Sequence, residues 1–530
     1  MRRYSIVTPV YDPPADVLHE MIESVTRQTN PNWELVLVDD RSPSPHVTPI
    51  LQAAAASDSR IVVIERAVNG GIVAASNDGL AVATGDFIAL LDHDDTLAPA
   101  ALEMVDLYAD RHPEMDYAYS DEDLINPAGR FVAPFYKPDW SPERLRSQNY
   151  CTHLSVFSAS LLDRIGGFRE GFDGSQDYDI ILRATEQARE IVHIPYVLYH
   201  WRQIATSVAA GDPGVKPYAY EAGRRAVQEH CDRVGIDADV GLGPHPGNYS
   251  VRRPVVGDPT ISIVISTRGE AGTVWGVERT YVVDAVMSIV SSTSRDIEFV
   301  IVTDDATPRA AIDAVRRAAG THPVVTVDVA SVLSEGERLD RGAIEASGDH
   351  LLFMHDDIEV MTPEFIDPLL ALSQDPAIGA VGCKQVLSDG RMQHGGYVHS
   401  GHPYPIMHGR AAYEVGMGGM LAVQREVMSL ADSCLMIGRD TFFDVGGFAR
   451  ELSTTADVDL CLKLRREHLA RIWTPAVEIR HFEHTIADEP GTAVERDRLH
   501  LRWGHQLRDD PYFNPNLQPD RGDLVERGLR

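Results

Sequence analysis

Short runs of consecutive hydrophobic residues alternate in the first part of the chain with segments that repeat a hydrophobic residue every three or four positions. The runs are typical of buried strands, and the wider spacing is typical of helices with one buried face. Strands are predicted at 4–9, 34–38, 61–64 and 87–91, and helices at 17–25 and 73–83. Strands that alternate with helices predict an α/β fold around a mostly parallel, doubly wound sheet.

The second half of the chain repeats this order. Strands are predicted at 261–265, 299–302 and 351–354, and helices at 282–290 and 341–346. A Gly-Gly-Phe triplet, an Asp-x-Asp pair and a histidine then follow in both halves, at 166–168, 177–179 and 200 and at 446–448, 457–459 and 481. This repetition indicates an internal duplication, and therefore two tandem α/β domains.

A Gly- and Pro-rich stretch at 241–247 lies between the two copies and has the composition of a linker. We therefore expect a first domain at 1–250 that includes a helical linker, a second domain at 251–495, and a tail at 496–530. The second copy also carries an insertion at 271–281, after its first strand.

Composition narrows the function classes. The net charge of −31 argues against a nucleic-acid partner, because phosphate binding needs clustered Lys and Arg. The five cysteines form no C-x-x-C pair, which favours a reducing compartment and argues against a cysteine zinc site. No apolar run reaches the roughly 20 residues of a membrane span, and no apolar signal core follows the first residues. We expect a soluble cytoplasmic protein, with peripheral contact at the inner face of the plasma membrane left open.

Acidic residues follow the fourth predicted strand and its counterpart in the second copy. Asp92 and Asp94 are two residues apart at a strand tip, so their side chains leave on the same side and can bind a divalent cation. Acidic residues after strands are also common helix caps, so this pattern alone leaves both interpretations open. Asp357 lies at the same distance from Gly348 as Asp94 does from Gly85. A histidine therefore takes the position of Asp92 in the second copy, and the two sites are not equivalent.

The motifs taken together resemble the inverting family-2 glycosyltransferases of GT-A fold. The stretches that carry the resemblance are TPVY (8–11), LVDDRS (37–42), LDHDD (91–95), SQDYDIILR (175–183) and LYHWR (198–202), with LLFMHDD, GRMQHGG, DVGGF and ADVDLCLK in the second copy. The resemblance covers nearly the whole chain, and it is to tandem enzymes of bacterial surface-polysaccharide assembly.

The resemblance implies a role for particular residues. It implies a Mn²⁺ or Mg²⁺ site in each copy, formed by Asp92, Asp94 and His200 and by Asp357 and His481. Asp177 and Asp457 would be the general bases that accept the proton of the acceptor hydroxyl. Pro9, Tyr11, Asp40 and, by strand position, Asp305 would hold the nucleotide, and Asp95 and His394 would contact the acceptor.

Simpler interpretations of three of these residues stay open. His394 could equally make a hydrogen bond within its loop. Asp177 could cap the helix that follows it, although Asp179 suits that role better. His200 lies between Tyr199 and Trp201, so packing against aromatic side chains is an alternative to ligand binding.

The expected function is a bifunctional hexosyl- or deoxyhexosyltransferase with one reaction per domain. Its donors would be UDP-, GDP- or dTDP-sugars, and its acceptor a saccharide or lipid-linked saccharide of a growing cell-envelope glycan such as O-antigen or capsule. The alternatives are one active domain with the other as an acceptor-binding scaffold, and a non-catalytic glycan-binding protein. A phosphatase or nuclease would need two metals per site, and the sequence supplies too few carboxylates.

Overall fold

The structure is a computed structural model that describes residues 2–203, 217–482 and 493–528. The chain divides into two compact units. The first unit comprises Met1–Trp140 and Arg144–Val251, and the second comprises Ser141–Glu143 and Arg252–Arg530. The described residues after 495 group with the second unit, and the domain bounds of the sequence analysis, with a tail at 496–530, stay a prediction.

The first unit is built from eleven strands and eight helices among the described residues. Its strands are β1 (Tyr4–Val10), β2 (Trp33–Asp39), β3 (Ile61–Glu65), β4 (Phe87–Leu90), β5 (Thr96–Leu97), β6 (Met115–Ile125), β7 (Phe131–Phe135), β8 (Ser155–Ser158), β9 (Glu190–Arg202), β10 (Asp239–Leu242) and β11 (Tyr249–Arg252). Its helices are α1 (Ala15–Thr26), α2 (Val47–Ser57), α3 (Gly71–Val82), α4 (Ala101–Arg111), α5 (Pro142–Ser147), α6 (Ala159–Ile165), α7 (Gln176–Thr185) and α8 (Pro217–Val234).

The main sheet of the first unit has the order β3-β2-β1-β4-β8-β6-β9-β5, with β7 added to β6. The pairs of β1 with β2 and β4, of β2 with β3, and of β6 with β9 are parallel. Helices cover both faces of this sheet, so successive residues of β1 pack into different hydrophobic cores. Ile6 packs in one core with Leu18 of α1, and Val7 packs in the other with Val73 of α3. The predicted α/β class is confirmed.

The second unit repeats this plan. Its strands are β12 (Ile261–Ser266), β13 (Ala271–Val274), β14 (Val277–Thr280), β15 (Glu298–Thr303), β16 (Val324–Asp328), β17 (His350–Met354), β18 (Ile358–Val360), β19 (Ile378–Leu387), β20 (Met392–His394), β21 (Tyr397–His399), β22 (Pro403–Pro405), β23 (Arg425–Glu426), β24 (Cys434–Gly438) and β25 (Ala470–His481). Its helices are α9 (Tyr281–Ser291), α10 (Arg309–Ala318), α11 (Glu335–Glu345), α12 (Ile366–Ser373), α13 (Arg439–Asp444), α14 (Ala456–Arg466) and α15 (Ala493–Trp503).

The sheet order of the second unit is β16-β15-β12-β17-β24-β19-β25-β18, which matches the first unit strand for strand. The insertion at 271–281 forms the hairpin of β13 and β14. None of the helices within 2–203, 217–482 and 493–528 is both long and apolar enough to cross a membrane.

A small hydrogen-bonded cluster fixes the start of the fourth sheet strand in both units. Gly85 N donates to Ser5 Oγ at 2.8 Å, and the Ser5 hydroxyl donates to the buried Glu34 carboxylate. The same contacts recur between Gly348, Ser262 and Glu298. Gly85 and Gly348 are therefore structurally equivalent, and they give a common origin for comparing the residues that follow.

Candidate active sites

The first unit has a cavity of ≈ 390 Å³ at the carboxyl ends of β1, β2 and β4. Ligands of open α/β sheets bind at this edge. Five residues that the sequence predicted as nucleotide or metal contacts line it together: Pro9, Tyr11, Asp40, Asp92 and Asp94.

Asp40 is held by the start of α3. Its two carboxylate oxygens accept hydrogen bonds from Gly70 N at 2.9 Å and from Gly71 N at 2.7 Å, and Arg66 forms an ion pair with it. Burial raises the pKa of Asp94, and the neighbouring Asp92 carboxylate acts in the same direction. A cation bound at this tip would offset that crowding of negative charge.

Asp95 lies below the tip and is fully buried. Its Oδ2 accepts a hydrogen bond from the Tyr199 hydroxyl at 2.6 Å, and its Oδ1 accepts one from Arg202 N at 2.7 Å. These hydrogen bonds connect the strand tip to β9. Asp95 therefore has a structural role in addition to the acceptor contact predicted for it.

His153 is a potential ligand that the sequence analysis did not identify. It groups with Asp92 and Asp95, and their potential ligand atoms all lie within 4.8 Å of one another. The ring stacks on Tyr199 at 4.5 Å between centroids, and Nδ1 lies 3.3 Å from Glu122 Oε2. Burial would lower the pKa of His153, but Glu122 and the tip carboxylates raise it to about 9. No motif or spacing in the sequence marks this residue.

His200 lies apart from that group. Its Nδ1 is 2.6 Å from Asp123 Oδ1, and its ring stacks on Phe131 at 4.1 Å between centroids. A carboxylate on Nδ1 fixes the tautomer that leaves Nε2 as the acceptor atom. Both earlier interpretations of His200, ligand binding and aromatic packing, are compatible with this arrangement.

Strand pairing corrects the predicted correspondence between the two histidines. Thr96 pairs with His200, and Glu359 pairs with Arg480. Thr96 and Glu359 are equally far from the equivalent glycines, so Arg480 corresponds to His200. The residue that corresponds to His481 is instead the tryptophan that follows His200.

Asp177 is the second residue of α7. It is partly buried, desolvation raises its pKa, and Asn149 Nδ2 donates to its Oδ2 at 3.0 Å. Asp179 has the structural role, since it is fully buried and forms ion pairs with Arg169 and Arg183.

The second unit has a cavity of ≈ 570 Å³ at the equivalent edge. Four of the predicted residues line it together: Asp357, His481, Asp457 and His394. The lining of the first unit's cavity includes neither His200 nor the predicted base, whereas the lining of this cavity includes both the histidine and the base predicted for its unit.

Two imidazoles and a carboxylate meet at the tip of β17. His481 Nε2 lies 2.8 Å from Asp357 Oδ1, and His355 Nδ1 lies 3.2 Å from His481 Nε2. Burial would raise the pKa of Asp357, but His481 lowers it to about 2. Burial would lower the pKa of His355, but Asp432 and other carboxylates raise it to about 10. One carboxylate and two imidazoles with atoms within 4.8 Å form a donor set that fits a divalent cation.

Asp457 is the second residue of α14, as Asp177 is of α7. Burial raises its pKa well above the ordinary value, and the nearby Asp432 carboxylate adds to this. His394 is buried beside Tyr397, with ring centroids 5.1 Å apart, and burial lowers its pKa to about 3. The neutral ring accepts a hydrogen bond from Gly396 N on Nδ1.

The correspondence predicted for Asp305 is wrong by one residue. β1 pairs with β2 in the first unit as β12 pairs with β15 in the second. Counting along these paired strands makes Asp304 the residue that corresponds to Asp40. Asp304 Oδ2 lies 2.9 Å from Arg338 Nη1 and 3.2 Å from Arg268 Nε, and both arginines line the cavity. Asp305 is exposed.

Two matches to known families accompany this geometry. Residues 5–166 match glycosyl transferase family 2, and residues 259–505 match glycosyltransferase like family 2. Each match begins at or just before the first sheet strand of one unit, so each unit corresponds to one family-2 domain. The chain belongs to glycosyltransferase family 2.

The chain is also similar to individual proteins. The chain is 38% identical to the Sinorhizobium fredii protein y4gI over 98% of this chain and 58% of that protein. It is 33% identical to the Myxococcus xanthus O-antigen biosynthesis protein RfbC over 97% of this chain and 40% of that protein. It is 31% identical to the Bacillus subtilis glycosyltransferase YwdF over 41% of this chain and 81% of that protein. The chain thus spans about half the length of the first two relatives.

Proposed function

We propose that the chain is a bifunctional inverting glycosyltransferase that moves one sugar in each unit from a nucleotide-sugar donor to a saccharide acceptor. The observation that carries this proposal is that Asp357, His481 and Asp457 line one cavity of the second unit together. A donor diphosphate and an acceptor hydroxyl need such groups within reach of one another.

The acidic tips would hold Mn²⁺ or Mg²⁺. The ligands in the first unit would be Asp92 and Asp94, with His200 presenting Nε2 to the cation or the diphosphate; those in the second would include Asp357 and His481. When bound, the cation stabilises the charge that develops on the leaving nucleoside diphosphate.

Asp457 and Asp177 would act as the general bases. Asp457 is buried and Asp177 is partly buried, each at the first turn of a helix, and desolvation raises the pKa of both. A carboxylate with a raised pKa accepts a proton from a hydroxyl more readily than an ordinary aspartate does. Deprotonation on the face opposite the leaving group gives in-line attack and inversion at the anomeric carbon.

The nucleotide would lie at the ends of the first two sheet strands. Pro9, Tyr11 and Asp40 line that part of the first cavity, and Arg268 and Arg338, both paired with Asp304, lie at the equivalent part of the second. The second cavity thus has two arginines in the region where the first has Tyr11. This difference supports a different donor for each unit. UDP-, GDP- and dTDP-linked hexoses or deoxyhexoses are the donor class.

The acceptor would be a growing cell-envelope glycan, free or lipid-linked, built at the cytoplasmic face of the membrane. The support is the name of the M. xanthus relative, an O-antigen biosynthesis protein that aligns with 97% of this chain. An acidic surface with a net charge of −31 favours such a neutral or lipid-linked acceptor over nucleic acid.

Nucleotide release tests the proposal. The whole chain would be screened against UDP-, GDP- and dTDP-sugars with Mn²⁺ or Mg²⁺, with and without oligosaccharide acceptors, as wild type, Asp94→Asn and Asp357→Asn. We expect each variant to lose release from one donor and keep it from the other. If both variants release nucleotide as the wild type does with every donor, the two-site proposal is wrong. If only one variant lowers nucleotide release, the chain has one active unit.

A further inference from the structure

We infer that the cation site of the second unit has two imidazole ligands and one carboxylate ligand, His355, Asp357 and His481, and that it selects a first-row transition-metal ion over Mg²⁺. The inference rests on the proposed function, because that function places a cation at this tip. It adds a third ligand, the residues that orient the ligands, and a metal preference that the first unit does not share.

The three ligand atoms already converge. His481 Nε2 lies 2.8 Å from Asp357 Oδ1 and 3.2 Å from His355 Nδ1. Asp357 and His481 are almost entirely buried, and His355 opens onto the cavity. A bound cation would replace these direct contacts between the side chains with bonds to the metal, and cavity space remains for donor phosphate oxygens.

Asp432 orients His355. Its Oδ1 lies 3.0 Å from His355 Nε2, on the opposite side of the ring from Nδ1. A carboxylate that accepts a hydrogen bond from Nε2–H directs Nδ1 to the cation, which would displace the Nδ1 proton, and this contact also makes the ring a stronger ligand. Asp432 is nearly buried, and Asp457 lines the same cavity. Asp432 is thus a positioning residue between the predicted base and the cation site.

Gln393 orients His481 in the same way. Its side-chain amide lies 2.5 Å from His481 Nδ1, and Gln393 is buried. Among the described residues no donor reaches Gln393 Oε1. The other amide orientation directs Oε1 at Nδ1 and provides the missing hydrogen bond. His481 Nδ1 then carries the proton, and Nε2 is left as a metal ligand.

This donor set differs from that of the first unit at two positions. Asp92 stands where the second unit has His355, and Trp201 stands where it has His481. A site with two carboxylates and at most one imidazole suits Mg²⁺ and Mn²⁺, whereas a site with two imidazoles and one carboxylate favours transition metals and binds Mg²⁺ poorly. The two units are therefore expected to differ in metal preference.

Metal binding without any sugar donor tests the inference. The whole chain would carry Asp92→Asn and Asp94→Asn to silence the first site, and Mn²⁺ binding would be followed by the loss of the free-ion EPR signal. We expect one bound Mn²⁺ that about a hundredfold excess of Mg²⁺ fails to displace. Bound Co²⁺ should show visible absorption bands typical of nitrogen ligation.

Variants of the ligands separate the possible outcomes. His355→Ala should weaken Mn²⁺ binding about tenfold or more, His355→Asp should shift the preference toward Mg²⁺, and the exposed His505→Ala should change neither. Circular dichroism and His355→Gln guard against misfolding of a single variant. If His355→Ala and His355→Gln leave the Mn²⁺ affinity unchanged while Asp357→Asn abolishes it, the inference is wrong and the proposed function still stands. Selective Mn²⁺ binding without turnover of any donor overturns the proposed function and leaves the inference standing.

Discussion

Asp340 Oδ1 accepts a hydrogen bond from the backbone N–H of Phe448 at 2.9 Å. Asn77 makes the same contact with Phe168 in the first unit, also at 2.9 Å. An amide and a carboxylate thus perform one structural task, the support of the Gly-Gly-Phe turn before the helix that carries the predicted base. Only the carboxylate can ionise, and its charged form is then destabilised by the loss of contact with water.

Asp340→Asn is expected to stabilise the protein at alkaline pH. Burial raises the pKa of Asp340 from the ordinary 3.8 to about 6, so the folded state binds its proton more tightly than the unfolded state does. Stability is therefore lost as the pH rises from about 4 through 6, by at most about 3 kcal/mol. Thermal unfolding should show a higher Tm for the variant at pH 8 and little difference at pH 4. Asn77→Asp is the matched reverse change, and a Tm that it does not lower at pH 8 would contradict this explanation.

Asp304→Asn should weaken donor binding in the second unit, whereas Asp305→Asn should not. Asp304 holds two arginines of the cavity in place, at 2.9 and 3.2 Å, and Asp305 is exposed. Loss of a carboxylate that orients charged side chains costs about 1.5–3 kcal/mol per hydrogen bond, equivalent to roughly a tenfold or greater rise in Kd. Calorimetric titration with the donor found in the release screen measures this. Equal effects of the two substitutions would show that the correspondence by strand pairing is wrong.

Asp457→Asn should remove transfer by the second unit and leave donor binding intact. The amide keeps the shape of the side chain and cannot accept the hydroxyl proton, so kcat should fall by about 10²–10⁴-fold with little change in donor Kd. Asp177→Asn should have the same effect on the other reaction. Acceptor-dependent transfer and donor titration, run on both variants, check this. A parallel loss of donor binding would indicate that the aspartate supports the fold instead.

Gly342→Ala should destabilise the second unit. A Cβ at this position of α11 would lie 2.5 Å from Val264 Cγ1 and 2.8 Å from Val302 Cγ2, on buried strands that have little room to move. Overpacking of this kind costs about 1–3 kcal/mol. The exposed Glu345→Ala on the same helix is the control. A Gly342→Ala protein with an unchanged Tm would contradict the close packing described for this helix.

The hydrophobic pattern was sufficient to predict the first four strands of the first unit with α1 and α3, because burial on both faces of a sheet requires it. It did not predict α2, nor α10 and β16 of the second unit. The sequence did not show which single residues of the two copies are structurally equivalent. His200 lies 23 residues after Asp177 and His481 lies 24 after Asp457, and that difference of one is the residue by which strand pairing separates them. Thr303 occupies the place of Asp39, which moves the second acidic pair along by one residue.

His153 illustrates what no spacing rule reveals. It lies just before β8, and it reaches Asp92 only because β8 pairs with β4, a contact between segments about 60 residues apart in the sequence. Asp432 and Gln393 approach their histidines in the same long-range way. Local pattern determines the elements here, and long-range strand pairing determines which side chains meet.

The substitution of His355 for Asp92 has a physiological consequence. If the two units differ in the metal they hold, a cell short of manganese but rich in magnesium would complete one transfer and not the other. Truncated glycans would then accumulate at one defined step, and the composition of the cell surface would report the supply of a trace nutrient.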